Sequence, residues 1–221
     1  MALGEDAGAP SENQSGALSK PFEWGQMTME VFLSILVGIG LSAACGFRVF
    51  VPLLVMSIAS MSGHLTLSGG FSWIGTYPAL LAFAVATVAE IAGYYIPWID
   101  HILDIIATPA AVIAGIIVMA SSVVGVSPFL RWSLAILAGG GIAGTFQAIT
   151  GLTRASSTAT TAGLGNPIVS TVEAAGATAF SVLSIAIPLV GLAAIALLLA
   201  FVYRARRGLF RHTRSKTAKQ E

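Results

Sequence analysis

Residues 33–50 read LSILVGIGLSAACGFRVF, apolar enough to cross a bilayer yet carrying Gly38, Gly40, Gly46, the small run 42–45 and Arg48, with Pro52 just beyond. The small side chains thin the apolar cover, and a charge at bilayer depth costs about 2.5–3.5 kcal/mol on insertion scales unless it is paired or wet. Apolarity continues from residue 30 to residue 61, well past the roughly twenty residues that cross the hydrocarbon. The stretch predicts a tilted or interrupted span, broken around residues 46–52, in a chain that must give Arg48 a partner.

Composition agrees with a membrane setting. Of 221 residues, 56% are hydrophobic and 10% charged, against about 25% charged in a soluble domain; mean hydropathy is +0.86. The lipid bilayer is thus the expected partner. A net charge of +1 gives no reason to expect nucleic acid. Arg204, Arg206, Arg207, Arg211, Arg214, Lys216 and Lys219 crowd the tail, whereas Glu5, Asp6, Glu12, Glu23 and Glu30 precede the first span. Basic residues beside a span are retained in the cytoplasm, which predicts a cytoplasmic C-terminus. Cys45, the single cysteine, excludes an intrachain disulfide, and its small apolar neighbours favour packing over redox or metal work.

Three regions follow from the pattern. Residues 1–28 are rich in Gly, Ala, Ser, Glu and Pro, lack the apolar stretch of a signal peptide and read as a disordered leader, with Met27 and Met29 as alternative starts. Residues 29–204 form a polytopic helical domain, and residues 205–221 form a basic tail. Within the domain, spans are expected over residues 30–61, 77–96, 99–124 with a kink at Pro109, and 132–150. Residues 168–203 are long enough for a broken amphipathic segment followed by a true span, with Pro188 inside. The fold class is therefore all-α integral membrane protein: five full transmembrane helices plus a broken or re-entrant segment, or six spans if that segment crosses.

An internal repeat sharpens this. Leu33, Ile35, Leu36, Gly38, Gly40 and Leu41 match Leu134, Ile136, Leu137, Gly139, Gly141 and Ile142. With two spans between the copies, the second should run opposite to the first, an inverted-topology relation. Gly38, Gly40, Gly139, Gly141 and Gly144 then serve close helix packing, and Pro52, Pro109, Pro167 and Pro188 mark breaks or kinks.

Between residues 32 and 203 the charges are Arg48, Glu90, Asp100, Asp104, Arg131, Arg154 and Glu173. Their near balance predicts pairing, first of all Arg48 with Glu90 or Asp104. The hydroxyl-rich run 153–161 has poor helix propensity and reads as an unwound, water-accessible lining that precedes the helix start at Asn166 and Pro167. Arg48, Glu90, Asp104, Arg154, Asn166 and Glu173 are thus candidates for a substrate or ion pathway; the plain alternative is a structural salt-bridge network. No HExxH, GxSxG, P-loop or clustered Cys/His motif occurs, so neither catalysis, a metal nor a cofactor is expected.

The segments GLSAACGFRVFVPLL, EIAGYYIPWIDHILDIIATPAAVIAG and TTAGLGNPIVSTVEAAG resemble a bacterial family of multi-pass membrane proteins known as domain of unknown function 4126. The resemblance rests on Gly40, Arg48, Pro52, Glu90, Pro97, Asp100, Asp104, Pro109, Gly163, Asn166, Pro167 and Glu173. It implies an inner (plasma) membrane protein and brings no substrate or activity. The resulting expectation is a small transporter or channel-like protein with a polar mid-membrane site for an ion or small solute. A membrane scaffold or assembly factor is the alternative.

Overall fold

The computed structural model describes residues 24–189 and the isolated helical positions 193, 196, 197, 200 and 204. The expected leader, the basic tail and nearly all of the last expected span lie outside the described residues. What is described is helical throughout, without a strand: α1 (Trp24–Cys45), α2 (Phe50–Met61), a 3-10 turn (Ser72–Gly75), α3 (Tyr77–Gly93), α4 (Pro97–Ser122), α5 (Pro128–Leu134), a π-helical segment (Ala135–Gly140), α6 (Gly141–Thr161) and α7 (Asn166–Ala186). Four stretches are long and apolar enough to cross a membrane: Thr28–Cys45, Ile102–Ser122, Pro128–Thr161 and Asn166–Ala186. Shorter apolar helices, Phe50–Met61 and Tyr77–Gly93, accompany them.

Prolines start these helices more than they kink them. Pro78, Pro97, Pro128 and Pro167 lie in the first turns of α3, α4, α5 and α7, where the missing N–H is one the helix could not satisfy anyway. Pro52 does the same for α2. Pro188 follows the last residue that caps α7. Pro109 lies inside α4, which continues as a helix to Ser122.

The expected break at residues 46–52 is present, but the chain reverses there. Gly38 of α1 packs on Met119 and Ser122 of α4, and the Ser42 hydroxyl donates to the Gly115 carbonyl at 3.1 Å, so α1 and α4 are antiparallel. After the turn, Val49 and Phe50 meet Glu90, while Met56 accepts a hydrogen bond from Ser121 near the other end of α4. The connection after α2 also returns there, with Ser68 N–H donating to Ser121 O at 2.8 Å. Residues 24–61 are thus a helical hairpin, not one interrupted span.

This reversal corrects the inverted repeat. Gly139 packs on Gly115 and Met119, Gly144 on Val112, and Arg154 reaches Asp104, so the α5–α6 rod is also antiparallel to α4. Both copies of the glycine pattern therefore run the same way, because α2 reverses the chain once more between them, a turn that the hydropathy of residues 30–61 concealed. Gly38 and Gly139, equivalent in the repeat, both pack against Met119 of α4. Gly115 and Gly139 bring the two backbones together: a Cβ on Gly139 would stand 2.5 Å from Gly115 O. Gly40 is buried on α1, but Gly141 has open space around it and packs on nothing.

A second correction concerns residues 153–161, which are helical to Thr161 and not unwound. Hydroxyls of Thr153, Ser156, Thr160 and Thr161 donate to carbonyls one turn back, at Ile149, Leu152, Ser156 and Ser157. Side chains that could compete with the helix instead bond along it. Ala162 (φ 52) and Gly163 (φ +87) then turn the chain into α7 through the left-handed region.

Polarity is arranged inside out. On α7 the buried residues are Asn166, Ser170, Glu173, Ala177, Ser181 and Ser184, while Ile168, Val172 and Val182 are exposed. Leu81, Val85 and Val88 of α3 are each about two-thirds exposed. Small polar faces packed together under an apolar exterior suit lipid, not water. Cys45 is fully buried in the core with Leu41, Val49 and Met56.

The turn depends on a glycine at 46, where a Cβ would lie 2.3 Å from Phe146 Cβ and 2.7 Å from Ala143 O. Gly46→Ala should lower stability by about 1–3 kcal/mol through overpacking, whereas Gly141→Ala should be neutral or raise it by up to about 1 kcal/mol through helix propensity. Thermal unfolding in detergent separates them, and equal stability of the two variants would contradict the close approach.

Candidate functional site

A reversal inside a helical bundle exposes backbone groups that water cannot reach, and each must find a partner in the protein. At residues 46–49 they do. Glu90, near the end of α3, accepts the N–H of Val49 at 2.8 Å and of Phe50 at 3.1 Å, one on each carboxylate oxygen. It caps α2 from another helix, placing negative charge at the positive end of the α2 dipole. Thr150 of α6 donates its hydroxyl to Gly46 O at 3.1 Å. Glu90 is buried, and its contacts here are amides of the turn.

Arg48, in the same turn, is 1% exposed. Its Nη2 donates to Ser170 O at 2.9 Å and to the Ser170 hydroxyl, and lies 3.4 Å from Glu173 Oε2. This corrects the expected pairing: Glu173 on α7 is the ion-pair partner of Arg48, in place of Glu90 or Asp104. Nε and Nη1 of Arg48 are buried without a hydrogen-bond partner. The guanidinium lies 4.0 Å from the centre of the Tyr94 ring, whose π face offsets part of that loss.

Arg154 completes the cluster. Its Nε is 3.1 Å from both Glu173 oxygens, its Nη2 also bonds Glu173 Oε2, and its Nη1 reaches Asp104 Oδ1 at 3.3 Å. The fork geometry is the one in which arginine grips a carboxylate strongly. Arg154 also stacks on Tyr94, 3.7 Å from the ring centre. One carboxylate oxygen, Oε2 of Glu173, therefore serves two guanidinium groups.

The structure thus gathers Arg48, Glu90, Asp104, Arg154 and Glu173 around Tyr94, from the turn, α3, α4, α6 and α7. Asn166 is one step removed, exchanging hydrogen bonds with the Thr158 hydroxyl, its amide nitrogen donating at 3.1 Å. Tyr94 and Ser170 were missed from sequence. Tyr94 is 6% exposed, and an aromatic beside a span end carries no sequence sign of such burial. Ser170 shares a helix face with Asn166 and Glu173, and that spacing was the signal available.

Three clefts border the cluster. One of about 320 Å³ is lined by Val49, Phe50, Glu90 and Tyr94 with apolar neighbours. Another of about 340 Å³ reaches Phe47, Thr150 and Glu173. The largest, about 580 Å³, lies between α4 and α6 against Asp104, Thr108, Gln147 and Thr158. Among the described residues, no three His, Cys, Asp or Glu side chains are grouped to hold a metal.

Apolar helices wrapped outward around buried polar faces give an all-helical protein whose four long apolar stretches are compatible with a multi-pass membrane protein. The profile of the family described as Domain of unknown function (DUF4126) matches residues 35–207, and the chain belongs to that family. No curated protein and no solved structure matches it.

Replacing Glu90 tests the cap. Glu90→Gln keeps one carbonyl acceptor but turns an NH₂ toward the other amide, costing about 1–3 kcal/mol. Glu90→Leu leaves both amides of the turn unsatisfied and should cost more. Unfolding in detergent should rank wild type above Gln above Leu; indistinguishable Gln and Leu variants would exclude the cap.

Proposed function

We propose that this protein is a small transporter or channel-like protein that moves an ion or small solute, with the charged cluster as its site. The observation that carries this is the position of the cluster at the reversal of a broken helix pair, bordered by clefts. Broken helices place backbone dipoles and charged side chains together at depth, and transporters build their sites from such parts. Three carboxylates and two guanidinium groups in one nest are costly to desolvate, and apolar packing would hold helices together at lower cost.

We place the site near one margin of the apolar slab, a shift from the midplane expected on sequence. From Asp104 to Ser122 α4 rises about 27 Å, close to the hydrocarbon thickness of about 30 Å. Past Arg154, the exposed Ser156, Thr158, Thr160 and Thr161 suit water or headgroups. On the positive-inside rule the basic tail is cytoplasmic in the bacterial inner membrane, so alkaline phosphatase fused after Glu221 should stay inactive; activity there would reverse the orientation.

The scaffold reading has one observation in its favour: the carboxylates of Glu90 and Glu173 are already taken up by amides and guanidinium groups. Flux decides between the two. Proteoliposomes holding the purified protein and an internal pH dye, under imposed sodium, potassium or proton gradients, should show cation or proton movement above empty vesicles. Glu173→Gln should reduce it to the empty-vesicle level while still eluting as a folded species. Wild-type vesicles that match empty ones under every gradient and with every solute tried would leave the scaffold.

A further inference from the structure

We infer that the end of the bundle away from the charged cluster binds the headgroup of an anionic phospholipid through Arg131, whatever the cluster itself does. The observation that points to a ligand is an unanswered cation. Among the described residues the guanidinium of Arg131 has neither an ion pair nor a hydrogen bond, and its Nε is buried. Buried polar groups are nearly always satisfied, and a missing partner costs a charged group more than a neutral one. Arg48 and Arg154 both reach carboxylates, but those acids gather around Tyr94, toward the other end of α4. Glu30, near the start of α1, is exposed and does not pair with Arg131.

The surroundings of Arg131 place it at a margin of the apolar slab. Arg131 lies in α5, where the apolar stretch Pro128–Thr161 begins. Beside it the stretch Ile102–Ser122 ends and Thr28–Cys45 begins: the Val124 N–H donates to the Ser34 hydroxyl at 3.4 Å, and Val31 lies against Gly125. Trp132, next to Arg131, is 47% exposed and Phe129 84% exposed. The Phe71 ring stands 6.1 Å from Trp132, and Trp73, two residues on, is also half exposed. Tryptophan settles at the headgroup level, its ring in the apolar region and its N–H toward water, while Phe129 suits acyl chains.

A phosphodiester fits this setting. Its two free oxygens match the planar fork of N–H donors that a guanidinium presents. A zwitterionic phospholipid carries its own ammonium group and is neutral overall. One with a glycerol head carries a single negative charge, equal and opposite to that of Arg131. The acyl chains of either lie along the exposed apolar side chains, so the charge of the head is what Arg131 selects.

The test reads contact at Trp132, so that anionic lipid gathered by the basic residues after residue 203 stays out of the signal. Full-length protein in phosphatidylcholine vesicles receives a small fraction of dibrominated phosphatidylglycerol or of dibrominated phosphatidylcholine, whose bromines quench tryptophan on contact. The difference between wild type and Trp132→Phe isolates the share of Trp132. Phosphatidylglycerol should quench that share at an about fivefold lower fraction than phosphatidylcholine, the effect of one arginine at an anionic headgroup. Arg131→Gln should remove the preference. In wild type, raising sodium chloride from about 0.05 to about 0.5 M should shrink it by screening. Equal quenching by the two lipids, or a preference that survives Arg131→Gln or is indifferent to salt, would overturn the inference. Relief of the quenching by soluble glycerol 3-phosphate would assign the site to a free phosphate ester and overturn the lipid.

Discussion

Glu173 holds the bundle together by serving two arginines at once. Arg48 comes from the turn of the first hairpin and Arg154 from the far half of the α5–α6 rod, and both buried guanidinium groups take the same carboxylate as counter-charge. Placing that carboxylate on α7 forces α7 into the angle between the turn and α6. Asp104 then ties α4 to the same guanidinium. Removing Glu173 would take from Arg48 its ion-pair partner and from Arg154 one of its carboxylates, which weakens the junction of the turn, α6 and α7.

The turn itself is a separate problem solved next door. Reversing a chain among apolar helices leaves N–H groups at the start of α2, and Glu90 takes two of them. Pro52 removes a third donor from the first turn by having none. Close approach of Gly46 to α6 finishes the job, since any side chain there would push the turn away from Thr150, which satisfies its carbonyl. Local backbone chemistry and long-range charge pairing therefore meet at the same four residues, 46–49.

Much of this was legible in the residues, and the rest was hidden for definite reasons. Arg48 before Pro52 announced a break, and the intramembrane acids announced a buried network, because lipid makes unpaired charge costly. Partner choice was not readable: Arg48 sits beside Glu90 in the fold, yet its guanidinium points to α7, a matter of side-chain direction that spacing does not encode. Chain direction was also invisible, since a hairpin of two short apolar helices has the same hydropathy as one long span; the inverted repeat was lost on that point alone. The hydroxyl-rich end of α6 misled because propensity counts side-chain competition as helix-breaking, whereas these hydroxyls bond back along their own helix.

The interdependence of Arg48 and Glu173 is open to direct measurement by a double-mutant cycle. Wild type, Arg48→Met, Glu173→Gln and the double variant would be unfolded in the same detergent–lipid mixture. A buried shared carboxylate predicts a coupling energy of about 1–3 kcal/mol, with the double variant less destabilised than the sum of the singles. Additivity within about 0.5 kcal/mol would mean that the turn and α7 are held by something other than this charge pair.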